Sequence, residues 1–595
     1  MPEMNRKIVR RLFDEHDAEC LKGVHPVLRR IYLARNVRSE DELDYSLARL
    51  PSPWLLSGME VMVRRLMEAI RSNRRIMIIA DYDADGATSC AVAKLGLQMF
   101  GAEHVSYVVP DRFRYGYGLT PEIVALASER NPDMIITVDN GISSIEGVTA
   151  AHERGLQVLI TDHHLPGERL PDADAIVNPN VPGDRFPGKA LAGVGVMFYV
   201  LMALRARLRE AGWFGHRGIK EPNLGQLLDL VALGTVADVV PLDRINRILV
   251  HQGLLRIRSG QLHVGLAAIL EVANRAHDSI VASDLGFAVG PRLNAAGRLD
   301  DMSLGIECLL SEEIERARTL VAELDAMNRE RRQIEEQMKA EALALLNELE
   351  SPGKEHAMSG VCLFDDSWHQ GVIGIVASRI KDRLQRPVIA FAPAGDGEIK
   401  GSARSIPEVH IRDVLSEVAA AHPELLNKFG GHAMAAGMSL RLADYPVFAL
   451  AFDAAVKARL EGVDVDRAIY TDGRLDERVL GLDFAEQLGR AGPWGQGFPE
   501  PVFEGKFDVV HARVVGEKHV KFVLGLPGIS GVIDAIAFFV ERPESWVGSR
   551  RINVAYRLAV NEFRNVRVAQ LVIEAMDRCV APATMETMEL SRDIL

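Results

Sequence analysis

Between residues 75 and 160, four short and nearly uninterrupted apolar runs alternate with stretches of helical periodicity: RIMIIA (75–80), VSYVV (105–109), DMIITV (133–138) and LQVLI (156–160). A strand that is apolar on both faces has to be covered on both, so the alternation predicts a parallel sheet between two layers of helices. The intervening segments carry their own start and stop signals. ATSCAVAKLGLQMF ends at Gly101, Thr120-Pro121 sets a capping hydroxyl before a proline at the first helical position, and a further helix is expected near 143–154. In an open parallel sheet, ligands bind outside the carboxyl ends of the strands.

Those ends are acidic. Asp81, Asp83 and Asp85 follow RIMIIA in DYDADG, Asp139 follows DMIITV in VDNG, and Asp162, His163 and His164 follow LQVLI in TDHH. A further carboxylate, Asp238, stands where a helical run ends in LGTVADVVP. Singly, such aspartates open turns and cap helices, and a lone His-His pair says little. Jointly, so many carboxylates at one sheet edge repel one another unless a cation lies among them. Oxygen-rich ligation with imidazole and no thiolate favours Mn²⁺ or Mg²⁺ over structural zinc, and there are ligands enough for two ions. Two such ions suit in-line displacement at phosphorus, which makes phosphoester hydrolysis the first reading from chemistry alone.

The rest of the composition sets limits. At 595 residues the chain exceeds one hydrophobic core and should divide into roughly three or four domains. Its five cysteines, Cys20, Cys90, Cys308, Cys362 and Cys579, form no CxxC pair, so neither a disulfide framework nor a thiolate zinc site is expected. The N-terminal MPEMNRKIVRRLFDEHD has no apolar core of a signal segment, and no apolar stretch approaches the ~20 residues of a membrane span, so a cytoplasmic protein without membrane partners is expected. The net charge of −13 does not advertise a nucleic-acid binder, although metal-binding carboxylates inflate the acidic count and a basic groove can sit on an acidic protein.

Along the chain, residues 1–50 read as a polar helical segment, PSPWLLSG (51–58) as a linker, and 51–310 as the parallel-sheet unit. The stretch 311–350 has no Gly or Pro and many i,i+4 charge pairs, which reads as a long solvated connecting helix. SPGKEH (351–356) ends it, and a second α/β unit occupies 351–462. The last unit is 463–595, in which the character changes from about 500 to short alternating runs, KFDVVHARVV, HVKFVLGL, VIDAIAFFV and RINVAYRLAV, expected to form a small antiparallel barrel or sandwich. Lys, Arg and Phe interleave there in KHVKF and NEFRNVRV, a pattern that suits both a nucleic-acid groove and any half-buried strand with a basic face.

DYDADG, VDNG, TDHH and GTVADVVPL, in that order and spacing, resemble the DHH phosphoesterase superfamily, and GGHAMAAG (430–437) looks like the glycine-rich phosphate-contacting motif of the DHH-associated domain. PRLNAAGRLDD (291–301), SWHQGVIGIVASRI (367–380) and the OB-like β-rich module make the whole similar to the RecJ single-strand-specific 5′ to 3′ DNA exonucleases. The resemblance implies a DHH domain, a connecting helix, a DHH-associated domain and an OB-like barrel. It implies Asp83 and Asp85 as metal ligands, Asp139 as the bridging carboxylate, His163 as a ligand of the second ion and Asp238 as the last ligand. Asp81 stands where many members have histidine. His164 would face the scissile phosphate, and Asp162 would orient His163 rather than bind metal.

On the phosphate side, Arg292, Arg298 and Arg404 are read in glycine- or serine-bearing loops, where planar guanidinium groups suit phosphate oxygens. His432 joins them, and Gly430 and Gly431 would let backbone approach the nucleic acid. By resemblance the chain is a monomeric single-strand DNA exonuclease of recombination and of mismatch or base-excision repair, with a single-strand-binding protein and a RecQ-type helicase as partners. A phosphodiesterase of short oligonucleotides or cyclic dinucleotides would match the first two units only, and a non-catalytic scaffold could dispense with the ligands.

Overall fold

The four apolar runs become the strands Ile76–Ala80, Val105–Val108, Met134–Val138 and Gln157–Thr161, joined by Ala175–Val177 in a fully parallel five-stranded sheet. Its spatial order is Val105–Val108, Ile76–Ala80, Met134–Val138, Gln157–Thr161, Ala175–Val177. Every residue of Ile76–Ala80 and Met134–Val138 is buried, as strands covered on both faces must be. On one face Met77, Ile79, Ile135 and Ile160 pack with Ile123, Val124, Val148 and Ala151. Beyond the other lies helix Ala84–Met99, which packs on helices Gly193–Glu210 and Leu228–Ala237. Thr120 caps its helix as read from the sequence, its Oγ1 accepting from Ile123 N at 3.4 Å with Pro121 next in line.

The computed structural model describes residues 7–13, 19–111, 114–349, 358–426, 428–463, 468–526, 528, 530–564 and 566–578; SPGKEH at 351–356 and Cys579 lie outside them. The chain divides into two units, residues 44–465 with 493–499, and residues 1–43 with 466–492 and 500–595. Within the first, a second sheet runs Lys428–Gly431, Ala435–Arg441, Glu398–Arg404, Val388–Gly395, Val361–Phe364, parallel only at its last pair. Helices Ile411–Ala421 and Tyr445–Leu460 seal one face of it through Val414, Phe448 and Phe452 against Phe391.

Two sequence readings need correcting here. The connecting helix, Ile314–Leu349, is not simply solvated. Ala317, Leu320, Val321 and Leu324 are buried, as are Asn328, Arg331, Glu335, Met338, Ala342 and Leu346, a stripe at three- and four-residue spacing. Charged neighbours mask the stripe in sequence, yet its last apolar members belong to the core of Leu363, Trp368, Val376 and Ala390. Arg292 and Arg298 likewise lie on a helix, Gly290–Leu299, and not in loops. Gly297, read as part of a turn, serves close packing: a Cβ there would meet the Tyr82 carbonyl oxygen at 1.8 Å.

The second unit holds a closed barrel of Phe503–Val515, His519–Gly525, Val532–Ala537, Val566–Arg578 and Arg551–Phe563. All neighbours are antiparallel except Val532–Ala537 with Val566–Arg578. The N-terminal stretch joins this unit, strand Ile8–Arg10 pairing in parallel with Ile469–Thr471. Arg35 clamps Asp472 with two hydrogen bonds of 2.7 and 3.0 Å, both side chains buried.

Candidate metal centre and substrate cleft

The strand ends bring Asp81, Asp83, Asp85, Asp139, His163, His164 and Asp238 together. Three sets, Asp81/Asp83/Asp139, Asp85/His163/Asp238 and Asp139/His163/His164, each present ligand atoms within 4.8 Å of one another. The backbone fixes most of them. Asp83 caps helix Ala84–Met99, its Oδ1 accepting from Asp85 N and Gly86 N at 3.0 Å each, while Asp81 Oδ1 accepts from Tyr82 N at 2.8 Å. Asp85, wholly buried, accepts from Gly193 N at 2.6 Å and Val194 N at 3.0 Å, at the positive N-terminus of helix Gly193–Glu210. Asp139 takes a left-handed φ of 62°, a conformation that costs energy outside glycine and collects at functional sites. A Cβ on Gly193 would lie 2.6 Å from Asp139 Oδ1, so only glycine lets that helix end close over the carboxylate.

The electrostatics are those of a centre short of positive charge. Burial, with Asp83 second, pushes the Asp85 carboxyl up to about 7. Burial, then the charges of Asp85 and Asp83, holds Asp139 and Asp238 well above the ordinary carboxylate range. Burial lowers His163 to about 4, so its ring is neutral at pH 7. His164 goes the other way, up to about 9, because its hydrogen bond to Asp162 and the surrounding carboxylates outweigh the burial that opposes protonation. Asp162, fully buried, accepts at Oδ1 from His163 N, His164 N and His164 Nδ1 at 2.7, 3.1 and 2.7 Å, and at Oδ2 from Ile142 N at 2.9 Å. It therefore orients the ring of His164 and the backbone of both histidines.

A divalent cation fits this donor set on a specific observation. Asp139 Oδ1, His163 Nε2 and Asp238 Oδ2 are buried and have no hydrogen-bond partner, and the imidazole nitrogen stands 3.1 Å from the first oxygen and 3.5 Å from the second. Orphaned polar atoms of this kind are costly in a folded protein, and three converging on one point are what a metal would satisfy. With its ring neutral and Nε2 unpartnered, His163 can offer the lone pair of that nitrogen to an ion.

Beside the centre lies a cavity of ≈ 250 Å³ between the two sheet-bearing lobes, lined by Tyr82, Tyr117 and Arg298 on one side and Lys400, Ser402 and Arg404 on the other. Arg404, read from the sequence as a loop residue, instead ends strand Glu398–Arg404, paired on both sides, and is steered by Nη1 hydrogen bonds to Ser402 Oγ at 2.9 Å and the Ala403 carbonyl at 2.8 Å. Arg298 Nη1 donates to the Gly371 carbonyl at 3.1 Å. His432, held by its N–H to the Ala435 carbonyl at 2.8 Å, has its pKa lowered by burial and then by the charge of His164. Gly430 and Gly431 lie in the edge strand Lys428–Gly431. Arg292 is engaged elsewhere: its Nε donates to Asp325 of the connecting helix at 3.0 Å and its Nη1 to the Ala288 carbonyl.

Tyr117 escaped the sequence reading. Its hydroxyl lies 3.2 Å from the Asp139 carbonyl and 3.1 Å from His164 Nδ1, and its ring meets Tyr82 and His164 edge-on. The signal in sequence is slight: an aromatic residue between Gly116 and Gly118, both at positive φ.

Comparison with known proteins agrees with this architecture. Residues 75–235 match the DHH family, N-terminal domain, residues 357–458 the DHHA1 domain, and residues 471–575 the RecJ OB domain. The chain is 54% identical over 561 residues to the single-stranded-DNA-specific exonuclease RecJ of Dickeya dadantii, covering 94% of this chain and 97% of that one. To the RecJ of Escherichia coli it is 49% identical over 569 residues, covering 95% and 98%. The crystal structure of RecJ in complex with Mn²⁺ from Thermus thermophilus superposes with a TM-score of 0.78 at 30% identity, over 97% of this chain and 81% of that one. A parallel sheet edged with carboxylate and imidazole side chains, a DHHA1 lobe across a basic cleft and an OB barrel, on a sequence half identical to these exonucleases, make the chain a member of the RecJ family.

Proposed function

We propose that the protein hydrolyses phosphodiester bonds of single-stranded DNA from the 5′ end, with two divalent cations, Mn²⁺ or Mg²⁺, held by Asp81, Asp83, Asp85, Asp139, His163 and Asp238. The convergence of Asp139 Oδ1, His163 Nε2 and Asp238 Oδ2, buried and unpartnered, carries this reading. Cations bound there acidify water and draw negative charge off a phosphate. Asp139, which shares one candidate set with Asp81 and Asp83 and another with His163 and His164, would be the carboxylate common to the two positions. His164, kept protonated by Asp162, donates a hydrogen bond to a non-bridging oxygen of the scissile phosphate, where charge develops. Arg298, Arg404 and His432 fix neighbouring phosphates, so that the backbone is positioned before chemistry. Arg292 acts one step removed, by holding helix Gly290–Leu299 to the connecting helix.

The boundaries proposed for the working parts are 51–310 for the catalytic domain, 311–350 for the connecting helix, 351–462 for the DHH-associated domain and 463–595 for the OB-like DNA-binding domain, with 1–50 as an N-terminal segment. The proposed setting is a monomer in the cytoplasm, acting in recombination and in mismatch or base-excision repair on strands opened by a RecQ-type helicase and presented by single-strand-binding protein. Among the described residues no helix is long and apolar enough to cross a membrane.

The test is release of label from 5′-labelled single-stranded DNA and from blunt duplex DNA, with Mn²⁺ and with chelator, for the native chain and Asp139→Ala. Metal-dependent digestion of the single strand alone is expected, lowered by several orders of magnitude in the variant. Digestion of blunt duplex at a similar rate, or full turnover by the variant, would overturn the assignment.

A further inference from the structure

Two departures from ordinary backbone geometry meet beside Asp238. The next residue, Val239, has φ 61°, a region that β-branched side chains rarely enter, and is 65% exposed. Against the helix end just before it packs a five-residue π-helical turn, Leu285–Val289, whose Phe287 is 81% exposed. Such turns are rare and recur at functional sites. The turn sits on the end of helix Leu228–Ala237: a Cβ on Gly286 would lie 3.2 Å from Val236 Cγ1, and one on Gly290 would lie 3.2 Å from Ala237 Cβ. Val236 is itself only half-buried. Three apolar side chains, half-buried Val236 and exposed Val239 and Phe287, thus stand on or just beyond the two elements that meet next to Asp238.

Position limits what can occupy this patch. The π turn runs straight into helix Gly290–Leu299, whose Asn294 Oδ1 accepts from Ala84 N of the DYDADG turn at 2.7 Å and whose Arg298 lines the cavity. From Phe287 to Arg298 is about 16 Å at a helical rise of ~1.5 Å per residue, a span of a few nucleotides. The cavity borders the set Asp81/Asp83/Asp139 through Tyr82, whereas the patch borders Asp85/His163/Asp238 through Val239. A protein seated on the patch would lie against Asp238 and obstruct the substrate path. One ring with two branched aliphatic neighbours instead matches the face of a single base.

We propose that Phe287, with Val236 and Val239, forms a shelf on which one nucleobase of the single strand stacks, on the side of the scissile phosphate away from the Arg298–Arg404 cavity. The inference rests on the nuclease reading above. The cavity grips phosphates without regard to bases; the shelf adds a contact that needs the base. Stacking on an aromatic side chain tolerates every base and so suits an enzyme that must read none.

The experiment uses full-length protein with Mn²⁺ and single-stranded oligonucleotides carrying one abasic nucleotide at successive positions, digested by the native chain, Phe287→Ala and Phe287→Trp. For the native chain one position should raise KM by roughly 5- to 150-fold, the range for a lost base–aromatic stack, with kcat little changed. Phe287→Ala should show a similar rise on the intact oligonucleotide and no further penalty at that position, while Phe287→Trp keeps the native pattern. The exposed ring makes the alanine variant safe for folding, which its melting temperature verifies. A native chain indifferent to base removal everywhere, or an alanine variant that keeps the position-dependent penalty, overturns the shelf. Absence of metal-dependent digestion of the unmodified strand by the native chain would bring down the nuclease reading itself, and is distinguishable from either.

Discussion

Asp85 accepts two backbone hydrogen bonds at a helix N-terminus, which favour its charge, and still has its carboxyl pushed up to about 7 by burial and Asp83. An unfolded carboxyl titrates near ~4, so between about 4 and 7 the native state holds a proton that the unfolded chain has released, and stability falls as pH rises. Asp139 and Asp238, displaced the same way, and His164, raised to about 9, carry the trend upward; the depressed histidines, His163 at about 4 together with His432 and His251, oppose it at the acid end. Protein stripped of metal should therefore melt higher at pH 5.5 than at pH 8, and Mn²⁺ should raise the melting temperature more at pH 8. Equal shifts at both pH values, followed by scanning calorimetry, would show that these carboxyls do not hold the ion. A second residue-scale prediction concerns Tyr117: removing its hydroxyl in Tyr117→Phe loses hydrogen bonds to Asp139 and His164 worth about 0.5–1.5 kcal/mol, so kcat should fall roughly 3- to 10-fold with KM unchanged. The carboxylates could be read in advance because each follows an apolar run. Tyr117 could not, because its partners stand 22 and 47 residues away and only a folded loop brings them together.

The helix Ile314–Leu349 is the element through which the two lobes hold each other at a fixed distance. Asp325 receives Arg292 from the first lobe, and Glu335 receives Arg379 from the second at 3.0 Å while pairing with Arg331 at 2.6 Å. Arg331 is buried, so Glu335→Ala leaves an uncompensated cation inside, a change that costs about 3–5 kcal/mol. Urea unfolding should record that loss; a difference below about 1 kcal/mol would mean the charge finds water. The helix itself was plain in the sequence from its freedom from Gly and Pro. Its buried stripe was not, since arginine and glutamate occupy core positions that a hydrophobic pattern leaves blank. The reverse holds for Gly290–Leu299, where the glycines look like a loop but permit close packing, Gly297 on the Tyr82 backbone and Gly290 on Ala237.

At the scale of the whole chain, the parallel sheet and the barrel were legible because each is built from neighbouring segments with a clear period. What was not legible is the crossing of the chain between its two units, since pairing of Ile8–Arg10 with Ile469–Thr471 leaves no local trace. The segment 493–499, between parts of the barrel-bearing unit in sequence, belongs to the catalytic one. There Phe498 stacks on Trp494 at 5.1 Å and covers the Arg247 guanidinium at 4.3 Å, and Gln496 accepts from Leu242 N at 2.7 Å. Phe498→Ala should destabilise the catalytic unit by about 3–5 kcal/mol, read as a lower calorimetric transition with the metal ligands untouched. An unchanged transition would show that the segment is merely laid on the surface.

That inserted segment also imposes an order on the protein's birth at the ribosome. The proposed metal-ligand residues are all translated by residue 238, yet the unit that carries them lacks one of its packing pieces until residues 493–499 emerge. The catalytic unit is thus left unfinished until late in synthesis, and a message broken before codon 493 yields a chain in which the Arg247 guanidinium keeps the Tyr45 ring at 5.9 Å but loses that of Phe498 at 4.3 Å, a chain expected to be more open to proteases than the finished one.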